Sequence, residues 1–172
     1  VSTEGKKSRI VVEHGIEALK AVWHRGAVDA DGKTGDGAGI HLEIPKDFFI
    51  EKIEVTGHIY DKSEICVGMI FLPRNDYSAQ ESCKTIVESE LTKNDFSIYG
   101  WRQVPVNPKI LGEKAFQTMP EIMQVLFKSN DKNLLDKELE RKIYETRKKI
   151  ENKAFQLSLN NFYICSISSK SI

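Results

Sequence analysis

From His24 to Ile40 the chain reads HRGAVDADGKTGDGAGI, with five glycines, three aspartates and one arginine in seventeen residues. Glycine at this density lets a backbone reach positive φ and approach a ligand or a second chain closely. Arg25 falls where the preceding helical pattern should end, and Gly26 is placed to cap it. A guanidinium on such a turn can grip a carboxylate through two parallel hydrogen bonds. The same residues also suit a plain helix-to-strand connection, in which Arg25 pairs with Asp29, Asp31 or Asp36 and stiffens the loop.

Two phosphate-binding readings fail. Gly32-Lys33-Thr34 has the look of the end of a Walker A loop, but that motif needs a glycine five residues before Gly32, where Ala27 stands. It also needs the order strand, loop, helix, and the pattern here is helix, loop, strand. Gly35-Asp36-Gly37-Ala38-Gly39 fails the dinucleotide fingerprint on the same ground, and its third glycine comes one position early.

Other reactive side chains offer less. Cys66, Cys83 and Cys165 show no paired or CxxC spacing, and an odd count argues against a disulfide framework. Cys66 and Cys165 lie in apolar runs and are expected to be small core residues, with no activating base close in sequence. His14, His24, His41 and His58 form no HExxH or Cys/His cluster, so no metal site is expected. Ser2 and Thr3 would become terminal nucleophiles only after a cleavage that freed their amine. Without it they are ordinary residues.

The elements that must position these groups follow from periodicity. Ser8 suits the N-cap of a helix to about Trp23, with Val12, Ile16, Leu19 and Trp23 on one apolar face. Ala38 to Ile44 reads as a strand stopped by Pro45, and Pro45 to Phe49 as the start of a helical turn. Val67 to Leu72 is a buried-type strand. Ser78 to Leu91 reads as a helix with Ala79, Cys83, Ile86, Val87 and Leu91 inward. Phe96 to Val104 and Ile122 to Phe127 are further strands. Leu135, Leu139, Ile143 and Ile150 mark a long helix over 133–153, with Glu138–Lys142 and Glu145–Lys149 at a favourable four-residue spacing. Phe162 to Ile167 is the last strand. Tyr99, Trp101 and Arg102 form a polar–aromatic patch best read as core and interdomain packing.

The 172 residues amount to one domain, long enough for a substantial core. A hydrophobic content of 40% with 29% charged residues is ordinary for a globular chain. Lysine plus arginine equals aspartate plus glutamate at 25 each, which gives no support for a nucleic-acid or membrane-surface partner. No apolar run has the length of a membrane span, and the first residues lack a signal-peptide core. Mixed strands and helices without repeats indicate an α+β or α/β domain, and periodicity alone does not choose between them.

HRG followed by DGAG is the shared signature of class II, or N-terminal nucleophile, glutamine amidotransferases. The longer spacer ending KTGDGAGI resembles the amidotransferase domain of glutamate synthase large subunits. VGMIFLPRND (67–76), YGWRQVPVN (99–107), LGEKAFQTMPEIMQVLF (111–127) and FYICSISSKSI (162–172) resemble it in the same order, over nearly the whole chain. The resemblance implies an α+β fold, a four-layer αββα sandwich in incomplete form, with residues 1–172 as a partial type-2 amidotransferase domain. It implies a glutaminase that releases ammonia for reductive amination of 2-oxoglutarate to glutamate.

In that family a terminal cysteine attacks the amide carbon and its own α-amino group is the base. This chain begins Val1-Ser2-Thr3, so no catalytic residue is assigned here and the segment alone is expected to be inactive. Arg25 and Gly26 are the implied substrate-site residues, and Asp36, Gly37 and Gly39 shape the loop. FMN and an iron–sulfur cluster are implied for other domains of the parent and no cofactor for this segment. Implied partners are glutamine, the remaining domains of the large subunit, and an electron-donor subunit or ferredoxin. The implied location is the cytoplasm, or a plastid for a plant or algal parent. The competing reading is a non-catalytic amidotransferase-like module that binds a partner or an amino acid. The coding DNA on either side separates the two.

Overall fold

Cys66–Leu72 (CVGMIFL) forms β1, an almost continuously apolar strand. Such a strand is stable only where both faces of its sheet are covered. The computed structural model describes residues 3–55, 57 and 65–172, and of His24 the backbone alone. Ser2 and His58 therefore lie outside the described residues. The chain divides into two compact units, Val1–His41 with Asn107–Met119, and Leu42–Val106 with Pro120–Ile172.

The second unit is built on a four-stranded sheet of order β2-β3-β1-β4, where β2 is Phe96–Gln103, β3 is Glu121–Ser129 and β4 is Tyr163–Ser168. Every neighbouring pair is antiparallel, which makes this an α+β domain of incomplete sandwich type. β1 and β3 register from Cys66 opposite Phe127 to Leu72 opposite Glu121. Alternation then sorts the side chains. Cys66, Ile70, Leu72, Val125 and Phe127 join a core with α3 (Tyr77–Lys93) and α5 (Asp136–Gln156). Val67 and Leu126 join a second core with Phe49, Ile50 and Ile53 of α2 (Lys46–Glu54).

Two bulges adjust the edge strands. The β2 register shifts between Ile98 and Gly100, where Gly100 takes φ +148°, a region open to glycine. The shift returns Trp101 to the face that Ile98 already occupies. In β4, Ile164 pairs with Ile70 and Ser166 with Met69, leaving Cys165 as the extra residue. Cys165 is consequently exposed, contrary to its expected core position, whereas Cys66 and Cys83 are buried.

Several local expectations are corrected. Residues 38–44 do not form a strand. Backbone pairing is confined to Leu42 and Ile44, which bond to Ile172 and Lys170 around an isolated bridge between Glu43 and Ser171. Pro45 stands at the N-cap of α2 and not inside it. In α3 the inward residue is Gln80, whose amide donates to the Pro73 and Arg74 carbonyls at 2.7 and 3.1 Å, while Ala79 is half-buried. Asp76 caps this helix by accepting from the Ala79 N–H at 2.9 Å.

The pairs expected along α5 are displaced by nearer partners. Glu138 accepts from the Leu135 N–H, Lys142 reaches Asp95 and Lys149 reaches Asn94, both at the α3–β2 turn. The four-residue pairs that do form are Arg141–Glu145 and Arg147–Glu151. Leu135 precedes the helix and is exposed.

In the first unit, α1 (Arg9–Ala21) buries no residue, and Ile16, Leu19 and Trp23 of its apolar pattern are exposed. Ser8 takes the N-cap position without a side-chain hydrogen bond.

Glu90 of α3 ties the helix pair together. Its carboxylate is nine-tenths buried and accepts from Lys153 of α5 at 2.5 Å and from Lys93 at 3.4 Å. The Lys153 hydrogen bond, chief among these contacts, holds its pKa below the usual carboxylate value. A carboxyl depressed in the fold adds stability above its unfolded pKa, about 4.3, and loses it as pH falls through the lower folded value. Glu90→Gln should therefore cost stability at neutral pH, with the deficit shrinking as pH drops below about 4. Urea denaturation across that range checks this. A deficit that stays constant down to pH ~3 would contradict the ion-pair account.

Candidate functional site

The glycine-rich segment folds as a small hairpin on a turn. After α1, Trp23–Arg25 makes one turn of 3-10 helix, closed by the Gly26 N–H donating to the Trp23 carbonyl at 3.0 Å. Gly26 thus caps the short turn and not α1, because α1 has already ended at Ala21. Its φ of −87° and ψ of 156° are extended backbone open to any residue. Residues 27–29 then run against 34–36. Val28 and Gly35 form an isolated antiparallel bridge, the Asp29 N–H donates to the Thr34 carbonyl at 2.7 Å, and the Ala27 N–H donates to an Asp36 carboxylate oxygen at 2.8 Å. Gly37 follows with φ +82°, and Gly39 has no atom within 4 Å of where a Cβ would stand.

The three aspartates are committed within this structure. Asp29 pairs with Lys114 at 2.6 Å. Asp31 accepts from the Thr34 hydroxyl at 2.5 Å and from the Thr34 and Lys33 N–H groups at 2.7 and 2.9 Å. These bonds, the hydroxyl first, hold its carboxyl well below the ordinary range. Asp36 takes the Ala27 N–H. Among the described residues none of the three pairs with Arg25, which is exposed. The loop-bracing ion pair is not formed, because backbone donors and a lysine reach these carboxylates first.

The tip of the hairpin meets α4 (Glu113–Thr118), some eighty residues away in sequence. Lys114 supplies the partner of Asp29, and the Ala115 N–H points to the Thr34 hydroxyl at 3.5 Å. The sequence signal for this contact is slight, a glycine at position 112 where a Ser or Asp would cap better.

Elsewhere, the polar–aromatic patch packs within the second unit. Trp101 donates its indole N–H to Glu88 of α3 at 2.7 Å, Arg102 donates to Gln124 of β3 at 2.7 Å and stacks over Phe48, and Tyr99 is buried in the core beside α2. Ile53, Tyr99, Trp101, Leu126, Lys52 and Arg102 help line a cavity of about 240 Å³ there. Burial pushes the Cys66 and Cys83 thiols up to about 12 and about 11, so both are protonated at neutral pH and are poor nucleophiles. Among the described residues no group of three or more His, Cys, Asp or Glu side chains converges as metal ligands would. No helix of the described residues is long and apolar enough to cross a membrane.

A family model for class-II glutamine amidotransferases matches residues 1–172. The chain belongs to the class-II glutamine amidotransferases. Within that family it is 53% identical over 169 residues to the glutamate synthase [NADPH] large chain of Azospirillum brasilense, covering 98% of this chain and 11% of that protein. It is 40% identical over 164 residues to ferredoxin-dependent glutamate synthase 1, chloroplastic/mitochondrial, of Arabidopsis thaliana, covering 94% and 10%. It is 34% identical over 172 residues to the ferredoxin-dependent glutamate synthase, chloroplastic, of Spinacia oleracea, covering 98% and 10%. The chain thus spans about a tenth of the length of these curated relatives.

The Asp36–Ala27 bond ties the base of the hairpin, next to Arg25 and Gly26. Asp36→Ala should speed hydrogen exchange at the Ala27 amide on the order of tenfold, the loss of roughly one hydrogen bond. Asp36→Asn, which keeps an acceptor oxygen, should leave exchange nearly unchanged. Equal exchange in wild type and Asp36→Ala would show that the base is held by other contacts.

Proposed function

We propose that this chain is part of the glutamine-hydrolysing domain of a glutamate synthase, a partial amidotransferase domain in which Arg25 and Gly26 line the glutamine site. One observation carries the assignment of Arg25. Arg25 is exposed on the turn at the hairpin base, while the three neighbouring carboxylates are bonded elsewhere. A cation left over in this way suits the carboxylate of an amino-acid substrate or the organisation of a nearby thiol. Family membership and the glutamate synthase relatives support glutamine as that substrate.

On this reading the reaction is acyl transfer to a thiol. The sulfur attacks the amide carbon, the C–N bond breaks, ammonia departs with a proton from the adjacent amine, and water then releases glutamate. Cys66 and Cys83 do not supply that thiol, since both are buried and protonated. Asp36, Gly37 and Gly39 shape the loop. Residues 1–172 by themselves release no ammonia. The flavin and iron–sulfur cluster of the parent belong to other domains. The cysteines here do not fit a cluster, because they do not converge.

The test is Arg25→Lys in the full-length protein, with the isolated chain as the blank. Lysine keeps the charge and loses the planar fork. Glutamine-dependent glutamate synthesis should fall on the order of a hundredfold, as expected when a reacting group is displaced by about an ångström. Ammonia-dependent synthesis should be unchanged. A residue that only braced the surface would contribute about 0–1 kcal/mol and tolerate the change. Equal losses in both activities would indicate a structural role for Arg25.

A further inference from the structure

The contact between the hairpin tip and α4 has a steric signature. A Cβ built on Gly112 would stand 2.5 Å from the Thr34 backbone nitrogen, and closer still to the Thr34 hydroxyl and an Asp31 carboxylate oxygen. Real Cβ atoms do not approach backbone this closely, so any side chain at 112 must move the tip. Gly112 itself has φ −71° and ψ 163°, a conformation any residue adopts. Glycine is required there for space and not for backbone freedom. The tip it accommodates is stiff. Asp31 gathers the Thr34 hydroxyl and two successive N–H groups, and Gly32 turns the chain with φ +69°. Lys114 clamps the near side through Asp29.

The displacement has a direct route to Arg25. The tip residues 31–34 connect to the base through the Asp29–Thr34 backbone bond, the Val28–Gly35 bridge and the Asp36–Ala27 bond. Gly26 and Arg25 are the next residues. The hairpin has few apolar contacts to hold it otherwise, since Val28 is exposed and α1 beside it in sequence buries no residue. Its orientation therefore depends on the polar and steric fit at α4.

We propose that Gly112, with Asp31 and Thr34, is a positioning element of the glutamine site, setting the placement of Arg25 through the hairpin. The inference rests on the reading that Arg25 serves glutamine. It predicts that the effect of Gly112 falls on glutamine use and not on folding at large. Gly112 touches no substrate in this account. It acts through the loop that it leaves room for.

The experiment compares Gly112→Ala, Thr34→Ser and Thr34→Val in the full-length protein, measuring KM for glutamine, kcat with glutamine, and the rate with ammonia. Gly112→Ala should raise the glutamine KM on the order of tenfold or more, with the ammonia rate retained. Thr34→Ser keeps the hydroxyl that binds Asp31 and should behave as wild type. Thr34→Val removes it at nearly constant volume and should share the Gly112→Ala defect. A wild-type protein without glutamine-dependent activity would overturn the reading of the domain, and this inference with it. A wild type with that activity and a Gly112→Ala variant matching it would overturn the positioning role alone. So would equal loss of both activities in Gly112→Ala, or a Thr34→Ser variant as impaired as Thr34→Val.

Discussion

A sheet with apolar side chains on both faces must be covered twice, and most of the larger unit follows from that constraint. β1 sends Cys66, Ile70 and Leu72 to one side and Val67 to the other. The first side needs a broad cover, which α3 and α5 provide across Phe127, Val125 and Ile164. The second is closed by α2 with Phe49, Ile50 and Ile53. Where the edge strands would put the wrong residue against a core, bulges at Tyr99 and Cys165 correct the phase. The helix pair is then locked by polar contacts at its rim, of which Glu90 with Lys153 is the most buried.

The smaller unit follows a different rule. Its hairpin is too rich in glycine and aspartate to be held by burial, so carboxylates bonded to backbone N–H groups give it shape. Such bonds are directional, whereas hydrophobic contact is not. They fix where a side chain at the hairpin base can point while leaving it in solvent. Exposed backbone bonds also open at lower free energy than core strands, which suits a loop that must admit a substrate. Burial makes the scaffold and directional bonds make the candidate site, in separate parts of the chain.

Much of the scaffold was legible in the sequence. Strands β1 to β4 and helices α3 and α5 came from apolar runs and spacing, because each has a face that only a core accepts. Residues 38–44 misled because a strand-like run before a proline says nothing of whether a neighbour is there to pair with. Cys165 misled for a related reason, since a bulge changes the face without changing the residue. The pairs along α5 failed because Asp95 and Asn94 compete for its lysines from 47 and 55 residues away, beyond any local pattern. Arg25 was legible as an unusual cation in a glycine-rich turn. Gly112 was legible only as a glycine where a better cap would be expected, because a steric requirement between residues 34 and 112 leaves no trace in the spacing of either.

The central claim is that the hairpin presents Arg25 to glutamine. The most direct measurement is an experimental structure of the full-length protein with an electrophilic glutamine analogue trapped on its thiol. The account predicts the Arg25 guanidinium at hydrogen-bond distance, about 3 Å, from the trapped ligand or from the residue bearing the thiol. It also predicts the hairpin tip still seated against Gly112. A trapped ligand with Arg25 turned away, out of reach even through one bridging water, would contradict it.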